Sequence, residues 1–262
     1  MREIDVVNDN LRHALATFCR IGKAGVVTDA GQLSLVYAGV PYSLFNTALL
    51  TAPVPTQSNG FHQGLQQAAA YFDSLQAPWS MWFCEQFLAA GDRRRAKLLL
   101  ATRGLRSLME APAMIASELA PAKRPLPRLD IRPVYDEQSR LDFSSIMATA
   151  FHVPLEMSEE VYAGQRLWEG PFTGWLAYDR DRAVSTACTI TSPGAIGIYA
   201  VATRPPEQGR GYAESLMRHA VAHARRQAPD LPLVLQSSSA GYNLYVQMGF
   251  RNVGQYVVYI SN

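Results

Sequence analysis

The alternation of apolar and polar residues is clearest in the second half of the chain. There it predicts strands over LDIRPVY, GWLAYD, AVSTACTIT, IGIYAVAT, LPLVLQSS and NVGQYVVYI. A helical spacing follows the first of these strands, in DEQSRLDFSSIMATAF. Another helix follows the fourth strand, with one apolar face formed by Leu216, Met217, Ala220, Val221 and Ala224. GYNLYVQMGF begins as a third helix that stops at Gly249. The order β-α-β-β-β-α-β-α-β predicts an α/β domain with a mixed sheet.

The first half is built of the same kinds of segment. LRHALATFCRI, GFHQGLQQAAAYFDSLQ and RRRAKLLLATRGLRSL have helical patterns, whereas GVVTDA, LSLVYAG, NTALLTA and PWSMWFC have the composition of strands. From Leu33 onward the order is strand-strand-helix-strand-helix, which repeats part of the order of the second half. We therefore interpret the first half as a diverged copy of the second.

Prolines separate the two halves. PAKRPLPRLDIRP, from Pro121 to Pro133, holds four prolines and four basic residues. Each proline lacks a backbone donor and restricts the residue before it to an extended conformation, which is typical of a linker. A boundary near Pro125 predicts two domains, residues 1–125 and 126–262, each of ordinary domain length.

Composition narrows the class of protein. Hydrophobic residues make up 48% and charged residues 18% of the 262 residues, as in ordinary globular proteins. A net charge of +2 lacks the basicity of a dedicated nucleic-acid binder. No apolar run reaches the roughly 18 residues of a membrane span, and the acidic N-terminal segment has no apolar signal region. Cys19, Cys84 and Cys188 lack the spacing of a zinc site or a disulfide framework, so we expect free thiols, no metal and a cytoplasmic protein.

The strongest chemical signal lies in TRPPEQGRGYAES, where a strand gives way to a helix through Gly209 and Gly211. Such a junction exposes backbone N–H groups and the positive end of the helix dipole, which together bind phosphate. A P-loop is excluded because no lysine follows the glycines. A Rossmann fingerprint fits poorly because Glu214 stands where its third glycine belongs. The pattern [QR]xxGx[GA] fits Gln208 to Ala213, and a helix that merely turns tightly is the alternative.

Two motifs, in this order, resemble those of a known family. IYAVATRPPEQGRGYAESLM is followed, after a predicted strand, by NLYVQMGF, in which Leu244 to Phe250 fit LYxxxGF. From Leu129 to Asn262 the chain thereby resembles the GNAT superfamily of acyl-CoA-dependent N-acetyltransferases. The resemblance implies a GNAT-like α/β (α+β) fold with a mixed central sheet flanked by helices. With the first half as a degenerate copy, it implies two such domains in tandem.

The resemblance also implies how acetyl-CoA binds as a co-substrate. Val201 and Thr203, with Ala202 between them, would pair through their backbone with the pantetheine amides like an added strand. Asn243 would hydrogen-bond the pantetheine arm. The pyrophosphate would lie on the backbone N–H groups of Gln208, Gly209, Arg210, Gly211, Tyr212 and Ala213, and Glu214 and Ser215 would complete the helix start. Gly211 and Ala213 are small, so the phosphates can come close.

The reaction that the resemblance implies is direct attack of a neutral primary amine on the acetyl thioester. Tyr245 is the implied general acid for the departing CoA thiolate, and a tyrosine that only packs beneath the sheet is the alternative. A backbone N–H near Val201 is the implied oxyanion donor. Many relatives carry a glutamate on the strand before the loop, and this chain has none there. The general base stays open among a water relay and His152, Glu156, Glu159, Glu160 and Tyr199.

The expected acceptor is a small-molecule amine. A segment before the hairpin is rich in aromatic residues, which favour either an apolar or aromatic amine or plain core packing: Phe151, Tyr162, Trp168, Phe172 and Trp175. We expect no nucleic-acid or membrane partner, and a homodimer is compatible with the sequence. A non-catalytic acyl-CoA-binding sensor is the alternative function, because no general base is evident. The first half reads PVPTQSNGFHQGL in place of the glycine motif and is expected to have lost cofactor binding.

Overall fold

The structure, a computed structural model, describes residues 1–56 and 58–261. Gln57, in the first-half segment PVPTQSNGFHQGL, and Asn262, at the end of the predicted second domain, lie outside the described residues. The chain forms two compact units that interleave along the sequence. The first comprises Met1–Met114, Gln236–Ala240 and Asn252–Asn262, and the second comprises Ile115–Leu235 and Gly241–Arg251. The functional division near Pro125 stays a prediction.

The first stretch of the chain alternates helices and strands as its sequence pattern predicts, except for its last strand, which the pattern does not predict. Its helices are α1 (Glu3–Thr17), α2 (Gly60–Ser74) and α3 (Ala90–Thr102). Its strands are β1 (Val26–Ala30), β2 (Leu33–Tyr37), β3 (Thr47–Leu50), β4 (Ser80–Cys84) and β5 (Arg106–Ala116). Strands β1, β2 and β3 pair antiparallel, and β3 pairs parallel with β4. Helix α2 makes the crossover that a parallel pair requires.

The second stretch carries the predicted hairpin and crossover. Its helices are α4 (Glu137–Phe151), α5 (Leu155–Tyr162), α6 (Gln165–Trp168), α7 (Tyr212–Arg225) and α8 (Tyr242–Gln247). Its strands are β6 (Asp130–Pro133), β7 (Phe172–Asp179), β8 (Arg182–Ser192), β9 (Ala195–Thr203) and β10 (Leu233–Gln236). Strands β6 to β9 pair antiparallel in sequence order, and β9 pairs parallel with β10 after the crossover through α7.

The two stretches share a topology. In each, an antiparallel pair is followed by a strand–helix–strand crossover, β2–β3–α2–β4 in one and β8–β9–α7–β10 in the other. The mixed α/β class expected from the sequence is confirmed. The loop after β3 and the loop after β9 therefore hold equivalent places in the two crossovers.

The last strand of the chain is β11 (Arg251–Ile260). It pairs antiparallel with β4, from Tyr256 opposite Cys84 to Ile260 opposite Ser80. From Asn252 onward this strand belongs to the first unit, although it follows α8 of the second unit in sequence. The strand order is β1-β2-β3-β4-β11-β5 in the first unit and β10-β9-β8-β7-β6 in the second.

Helix α7 is held in place by one apolar face. The helix packs mainly on β8 and β9, and its buried apolar residues recur every three or four positions: Tyr212, Leu216, Met217, Ala220, Val221 and Ala224. Burial of that stripe fixes the start of α7 close behind the end of β9. Among the described residues, no helix is long and apolar enough to cross a bilayer.

The helix predicted over RRRAKLLLATRGLRSL ends earlier than its sequence pattern indicates. Helix α3 stops at Thr102, and the prediction is wrong for the residues beyond it. Gly104 has a φ of +77°, and the N–H of Leu105 turns back to the carbonyl of Leu100 at 3.1 Å. Glycine takes this left-handed conformation without a steric cost, so it ends the helix. The following residues form β5 instead.

Candidate active site

The loop between β9 and α7 has the conformation that its glycines predict. Gly209 and Gly211 have φ values of +78° and +84°, in the left-handed region that side chains disfavour. A Cβ placed on Gly209 would meet no described atom within 4 Å. Gly211 is the residue that directly precedes α7. The glycines therefore shape an open loop at the start of a long helix.

The start of α7 presents backbone donors. The N–H of Ser215 bonds to the carbonyl of Gly211 at 3.0 Å, which is the first hydrogen bond of the helical ladder. The N–H groups of Tyr212, Ala213 and Glu214 precede that bond and point out of the helix end. The helix dipole adds a partial positive charge at the same place. This end of the helix can bind an anion such as a phosphate.

The polar side chains of the loop hold the loop itself. The Nε2 of Gln208 donates to the carbonyl of Thr203 at 3.1 Å, and Arg210 pairs with Glu207 at 2.8 Å. The backbone N–H of Gln208 donates to the carbonyl of Pro205 at 3.3 Å. Of the expected phosphate donors, this N–H therefore already has an acceptor within the protein.

Two side chains at the start of α7 also have structural partners. The Tyr212 hydroxyl donates to Asp179 at 2.7 Å, and this bond raises the pKa of the Tyr212 phenol. The Glu214 carboxylate pairs with Arg218 at 2.8 Å, and Arg218 also donates to the carbonyl of Ala120 at 2.7 Å. Because these side chains already have partners, Tyr212 and Glu214 would bind an anion through their backbone N–H groups.

Strand β9 contains a β-bulge just before the loop. Tyr199 lies opposite Cys188 and Ala202 lies opposite Thr186, so one more residue is present on β9 than on β8 between these pairs. Ala200 has a φ of +49°, an uncommon value for a residue with a side chain. The part of β9 from Tyr199 to Val201 is half-buried, whereas the strand on either side is buried. Bulges often stand beside active sites because they redirect backbone groups.

Strands β9 and β10 pair over only a short distance. The pairs run from Ile196 opposite Leu233 to Gly197 opposite Val234. Among the described residues, β10 makes no pair with β9 beyond Gly197, which is upstream of the bulge. Over the segment that contains Val201 and Thr203, one edge of β9 faces away from β8. That segment lies beyond the last pair that β9 makes with β10.

Tyr245 lies on the short helix α8 with its side chain buried. Its ring packs edge-on against Phe250 at 6.1 Å, and burial raises the pKa of Tyr245 to about 12. Gly241 makes room for this ring, because a Cβ there would lie 2.8 Å from Cε2 and 3.2 Å from Oη of Tyr245. Asn243, on the same helix, is exposed. Both residues belong to the same compact unit as β9.

The candidate bases lie on different elements. Burial raises the pKa of the Tyr199 phenol well above its ordinary value, which makes it unable to accept a proton from an amine near neutral pH. His152 follows the end of α4 at a φ of +54° and is exposed. Glu156, Glu159 and Glu160 lie on α5. The structure brings none of the acidic candidates onto β9.

Most of the aromatic residues that the sequence analysis singled out pack on one another. The ring of Phe143 contacts Tyr162 at 5.2 Å and Trp168 at 5.1 Å, and Trp168 contacts Phe172 at 5.1 Å. Trp175 packs against two histidines of α7 instead. Phe151 alone among the five is exposed, at 51% of its surface. The core-packing interpretation is the one that fits Tyr162, Trp168 and Phe172.

Several residues around the site escaped the sequence analysis. Ser185 and Thr186 of β8 donate side-chain hydrogen bonds to carbonyls of β9, each at 2.7 Å. Arg124 donates from Nη2 to the carbonyl of Gly209 at 3.3 Å, which places a guanidinium beside the loop. In the sequence Arg124 is one of several basic residues in a proline-rich segment, and no spacing distinguishes it. Among the described residues, no cluster of three or more His, Cys, Asp or Glu side chains suits a metal ion.

Comparison with known proteins agrees with this geometry. Residues 140–259 match the family model described as an acetyltransferase (GNAT) domain. No curated protein matches the chain. A GCN5-related N-acetyltransferase from Kribbella flavida is 14% identical with a TM-score of 0.71, and the match covers 95% of this chain and 94% of that one.

Two further solved structures are similar over most of the chain. A functionally unknown conserved protein from Staphylococcus epidermidis ATCC 12228 is 14% identical with a TM-score of 0.62, covering 93% of this chain and 96% of that one. A tandem GNAT protein from the clavulanic acid biosynthesis pathway is 12% identical with a TM-score of 0.57, covering 87% of this chain and 78% of that one. At these identities the likeness is one of fold.

Proposed function

We propose that this chain, whose residues 140–259 match the acetyltransferase (GNAT) domain model, transfers an acetyl group from acetyl-CoA to a primary amine of a small molecule. The acyl-transfer chemistry belongs to the family. The acetyl donor, the amine and the residues that act on them are the proposal.

The observation that carries the proposal is the order of backbone features from Tyr199 to Glu214. A bulge, a strand edge beyond its β10 pairing, an open glycine loop and a helix start follow one another without interruption. An acyl-CoA presents a thioester, two amides and a pyrophosphate in the same order. In this proposal the thioester meets an amide N–H, the two amides meet a strand edge, and the pyrophosphate meets the positive end of a helix.

We propose that the reaction proceeds by direct attack. The nitrogen lone pair of the neutral amine forms a bond to the thioester carbon, and the carbonyl electrons move to oxygen, where the N–H of Val201 stabilises the charge. The carbonyl re-forms as the C–S bond breaks, and the sulfur leaves with that electron pair. The sulfur takes a proton from Oη of Tyr245, the nitrogen loses its extra proton to water or to a base, and the Tyr245 phenolate regains a proton from water.

Burial supports Tyr245 in this role. With a pKa raised to about 12, its phenol keeps its proton at neutral pH and has one to give. The transfer to an ordinary thiolate of pKa about 8.5 would be uphill. The same burial that raises the pKa of the phenol also raises the pKa of a thiol released beside it, which brings the two pKa values closer.

The first half of the chain is proposed to support the second. Its crossover β3–α2–β4 has the topology of β9–α7–β10, which fits a degenerate GNAT-like domain over residues 1–125 beside a catalytic domain over 126–262. Its loop lacks the glycine pattern, so we propose that it does not bind acetyl-CoA. The cysteines Cys19, Cys84 and Cys188 are all free thiols, which fits the cytoplasm as the proposed compartment.

A non-catalytic acyl-CoA sensor is the second candidate, and one observation favours it. Strand β9 carries no acidic residue, and the raised pKa of Tyr199 makes its phenol a poor base. A sensor would bind the donor through the same loop and release no free CoA when amines are added.

Two measurements test the proposal. Acetyl-CoA at about 100 times its Kd should stabilise the protein by about 2.7 kcal/mol, which raises the melting temperature. Free CoA thiol should then appear on addition of at least one amine from a panel of aliphatic, aromatic and amino-sugar amines. No shift at millimolar acetyl-CoA would exclude the donor, whereas a shift with no thiol release from any amine would favour the sensor.

A further inference from the structure

Two buried hydroxyls of β8 hold two carbonyls of β9 at the bulge. The Oγ1 of Thr186 donates to the carbonyl of Ala200, and the Oγ of Ser185 donates to the carbonyl of Ala202, both at 2.7 Å. Both hydroxyl-bearing residues are fully buried. Side chains therefore bond carbonyls of β9 where the bulge interrupts the regular register.

The bond to Ala200 also orients the next N–H. Ala200 and Val201 share a trans peptide, in which the carbonyl and the N–H point in opposite directions from one rigid plane. Because the Ala200 carbonyl is directed at β8, the N–H of Val201 is directed away from β8. On that side the pairing with β10 has already ended at Gly197. The Val201 N–H therefore faces the edge at which an acyl-CoA would lie.

The conformation at this point needs such a bond. Ala200 has a φ of +49°, which an alanine disfavours relative to an extended strand. The Thr186 hydroxyl lies 3.6 Å from the sulfur of Met147 as well, but the carbonyl is both closer and the better acceptor. The Thr186 bond is thus a link that resists relaxation of the Ala200–Val201 peptide.

We infer that Thr186 is a positioning residue for acyl transfer: its hydroxyl fixes the Ala200–Val201 peptide so that the Val201 N–H meets the carbonyl oxygen of the bound thioester. This inference rests on the proposed function. Thr186 contacts neither donor nor acceptor and acts through the peptide that it holds. Removal of its hydroxyl should weaken the polarisation of the thioester while leaving the pyrophosphate loop as it is.

Infrared difference spectroscopy tests this directly, with acetyl-CoA that carries an isotope label at the acetyl carbonyl. A hydrogen bond to the thioester oxygen lowers the stretching frequency of that carbonyl. The wild-type protein should show a lower frequency than free acetyl-CoA in buffer, and Thr186→Val should lose most of that shift. Thr186→Ser, which keeps the hydroxyl, should retain it. This measurement needs no amine.

Thr189→Val is the matched control. Thr189 lies on the same strand, is also buried and pairs with Ile198 upstream of the bulge. The same exchange of a hydroxyl for a methyl group there should leave the carbonyl frequency unchanged. Equal spectra for Thr186→Val and Thr189→Val would overturn the inference, and so would a wild-type frequency equal to that of free acetyl-CoA.

Kinetics provide a second readout. Thr186→Val should lower kcat by about tenfold, less than the roughly hundredfold or greater loss on removing an oxyanion donor outright. The KM for acetyl-CoA and the affinity for CoA, which has no thioester, should change by less than about twofold. A parallel loss of affinity for CoA would indicate general damage to the site and contradict a positioning role.

The outcomes separate the inference from the proposed function. If wild-type protein binds no acetyl-CoA, the proposed function fails and the inference falls with it. If wild-type protein lowers the carbonyl frequency and Thr186→Val does so equally, only the inference fails. Circular dichroism and melting temperature establish that each variant is folded, and should Thr186→Val not fold, Thr186→Ala is measured in the same way.

Discussion

Tyr245 combines a polar hydroxyl with a buried ring at the position that the motif LYVQMGF predicts. Its side chain is 8% exposed, and burial raises its pKa to about 12. Among the described residues none hydrogen-bonds its hydroxyl. A hydroxyl at the end of a buried ring that no protein group holds is available to water or to a ligand, which fits a group that serves a substrate.

Tyr245→Phe should lower turnover by roughly tenfold to a hundredfold, because general acid catalysis is worth about that much or more. The affinity for acetyl-CoA should change little, since the loop that binds the pyrophosphate is untouched. Steady-state thiol release with the best amine measures the first effect, and a melting-temperature titration measures the second. Tyr242→Phe, on the same helix, is the control, and equal turnover of both variants would remove Tyr245 from the mechanism.

The pH dependence of the same pair of proteins provides a further readout. The pKa of Tyr245 is raised from 10.0 to about 12, so the acid form persists well into the alkaline range. The ratio of wild-type to Tyr245→Phe turnover should therefore stay constant from neutral pH to about pH 10, where an ordinary tyrosine is half ionised. A ratio that has already halved by about pH 10 would contradict the raised pKa.

Gly241→Ala tests the space that holds the Tyr245 ring. Gly241 has ordinary right-handed dihedral angles, so the added methyl group acts through contact with the ring, 2.8 Å from Cε2. The displaced hydroxyl should lower turnover by about tenfold, and overpacking should cost about 1–3 kcal/mol of stability. Gly194→Ala is the control, because its Cβ would meet no described atom within 4 Å. Unchanged turnover in folded Gly241→Ala would show that the ring position does not matter.

Residues that act through their own backbone were easier to predict than residues that hold a neighbour's backbone. Gly209 and Gly211 adopt the left-handed conformations expected at a strand-to-helix junction. Thr186 is an ordinary strand residue in the sequence, and its bond to Ala200 depends on a bulge that no local pattern reveals. Such side-chain to backbone bonds between strands follow from the register, which a single sequence does not specify.

At the scale of elements, we expect the loop before α7 to contribute most to acetyl-CoA binding, through the geometry of its backbone. Gly211 has a φ of +84°, and a Cβ there would lie 3.3 Å from Cδ of Pro127. A side chain at this position forces either strain or a shift of the loop, and both move the N–H groups that would hold the pyrophosphate.

Gly211→Ala should weaken the affinity for acetyl-CoA by about tenfold and cost about 1–2 kcal/mol of stability, because alanine disfavours a left-handed conformation. Once the donor is saturating, kcat should fall much less, since neither the bulge nor Tyr245 is altered. Isothermal titration and denaturant unfolding measure the two quantities. The control is Gly91→Ala in α3, where a Cβ would meet no described atom within 4 Å; affinity equal to this control would contradict the account.

Elements with a single strong periodicity were predicted well, and elements that end through a local conformation were not. The apolar stripe of α7 was visible because its spacing is helical throughout. The sequence around Gly104 keeps a helical composition on both sides, yet Gly104 turns the chain and β5 begins at Arg106. The sign of the helix end was a single glycine, Gly104, and a glycine occurs inside helices as well as at their ends.

At the scale of the whole molecule, the last strand belongs to the first compact unit. Strand β11 pairs with β4, and the Tyr256 hydroxyl donates to Oδ1 of the buried Asn8 at 3.0 Å. The amide nitrogen of Asn8 donates to the carbonyl of Leu50 at 2.9 Å. These bonds tie the C-terminal strand to an N-terminal helix and to β3 within one unit.

Tyr256→Phe should destabilise the protein by about 1–3 kcal/mol, because it leaves the buried Asn8 oxygen without that donor. Thermal or denaturant unfolding measures the loss. Tyr259→Phe on the same strand is the control and should cost less, since Tyr259 has no hydrogen bond of this kind among the described residues. The affinity of the folded protein for acetyl-CoA should be unchanged in both variants, and equal stability of the two would contradict the role of Tyr256.

The partner of the last strand was not predictable from local sequence. NVGQYVVYI reads as a strand, and it is one, but strand propensity does not specify which sheet edge it joins. Local order predicts that this strand belongs with its neighbours in the chain, whereas it pairs with residues far away in sequence. The α/β class and the crossover around the glycine loop followed from local order and were confirmed.

The most direct test of the central claim is an amide NMR titration of the labelled protein with acetyl-CoA. If acetyl-CoA binds as proposed, saturable shifts should be largest at the N–H groups of Val201, Thr203 and Gly209 to Glu214, with the loop after β3 unaffected. No saturable shift at millimolar acetyl-CoA, or shifts centred outside this segment, would contradict the proposal that the bulge, strand edge and glycine loop together bind the acetyl donor.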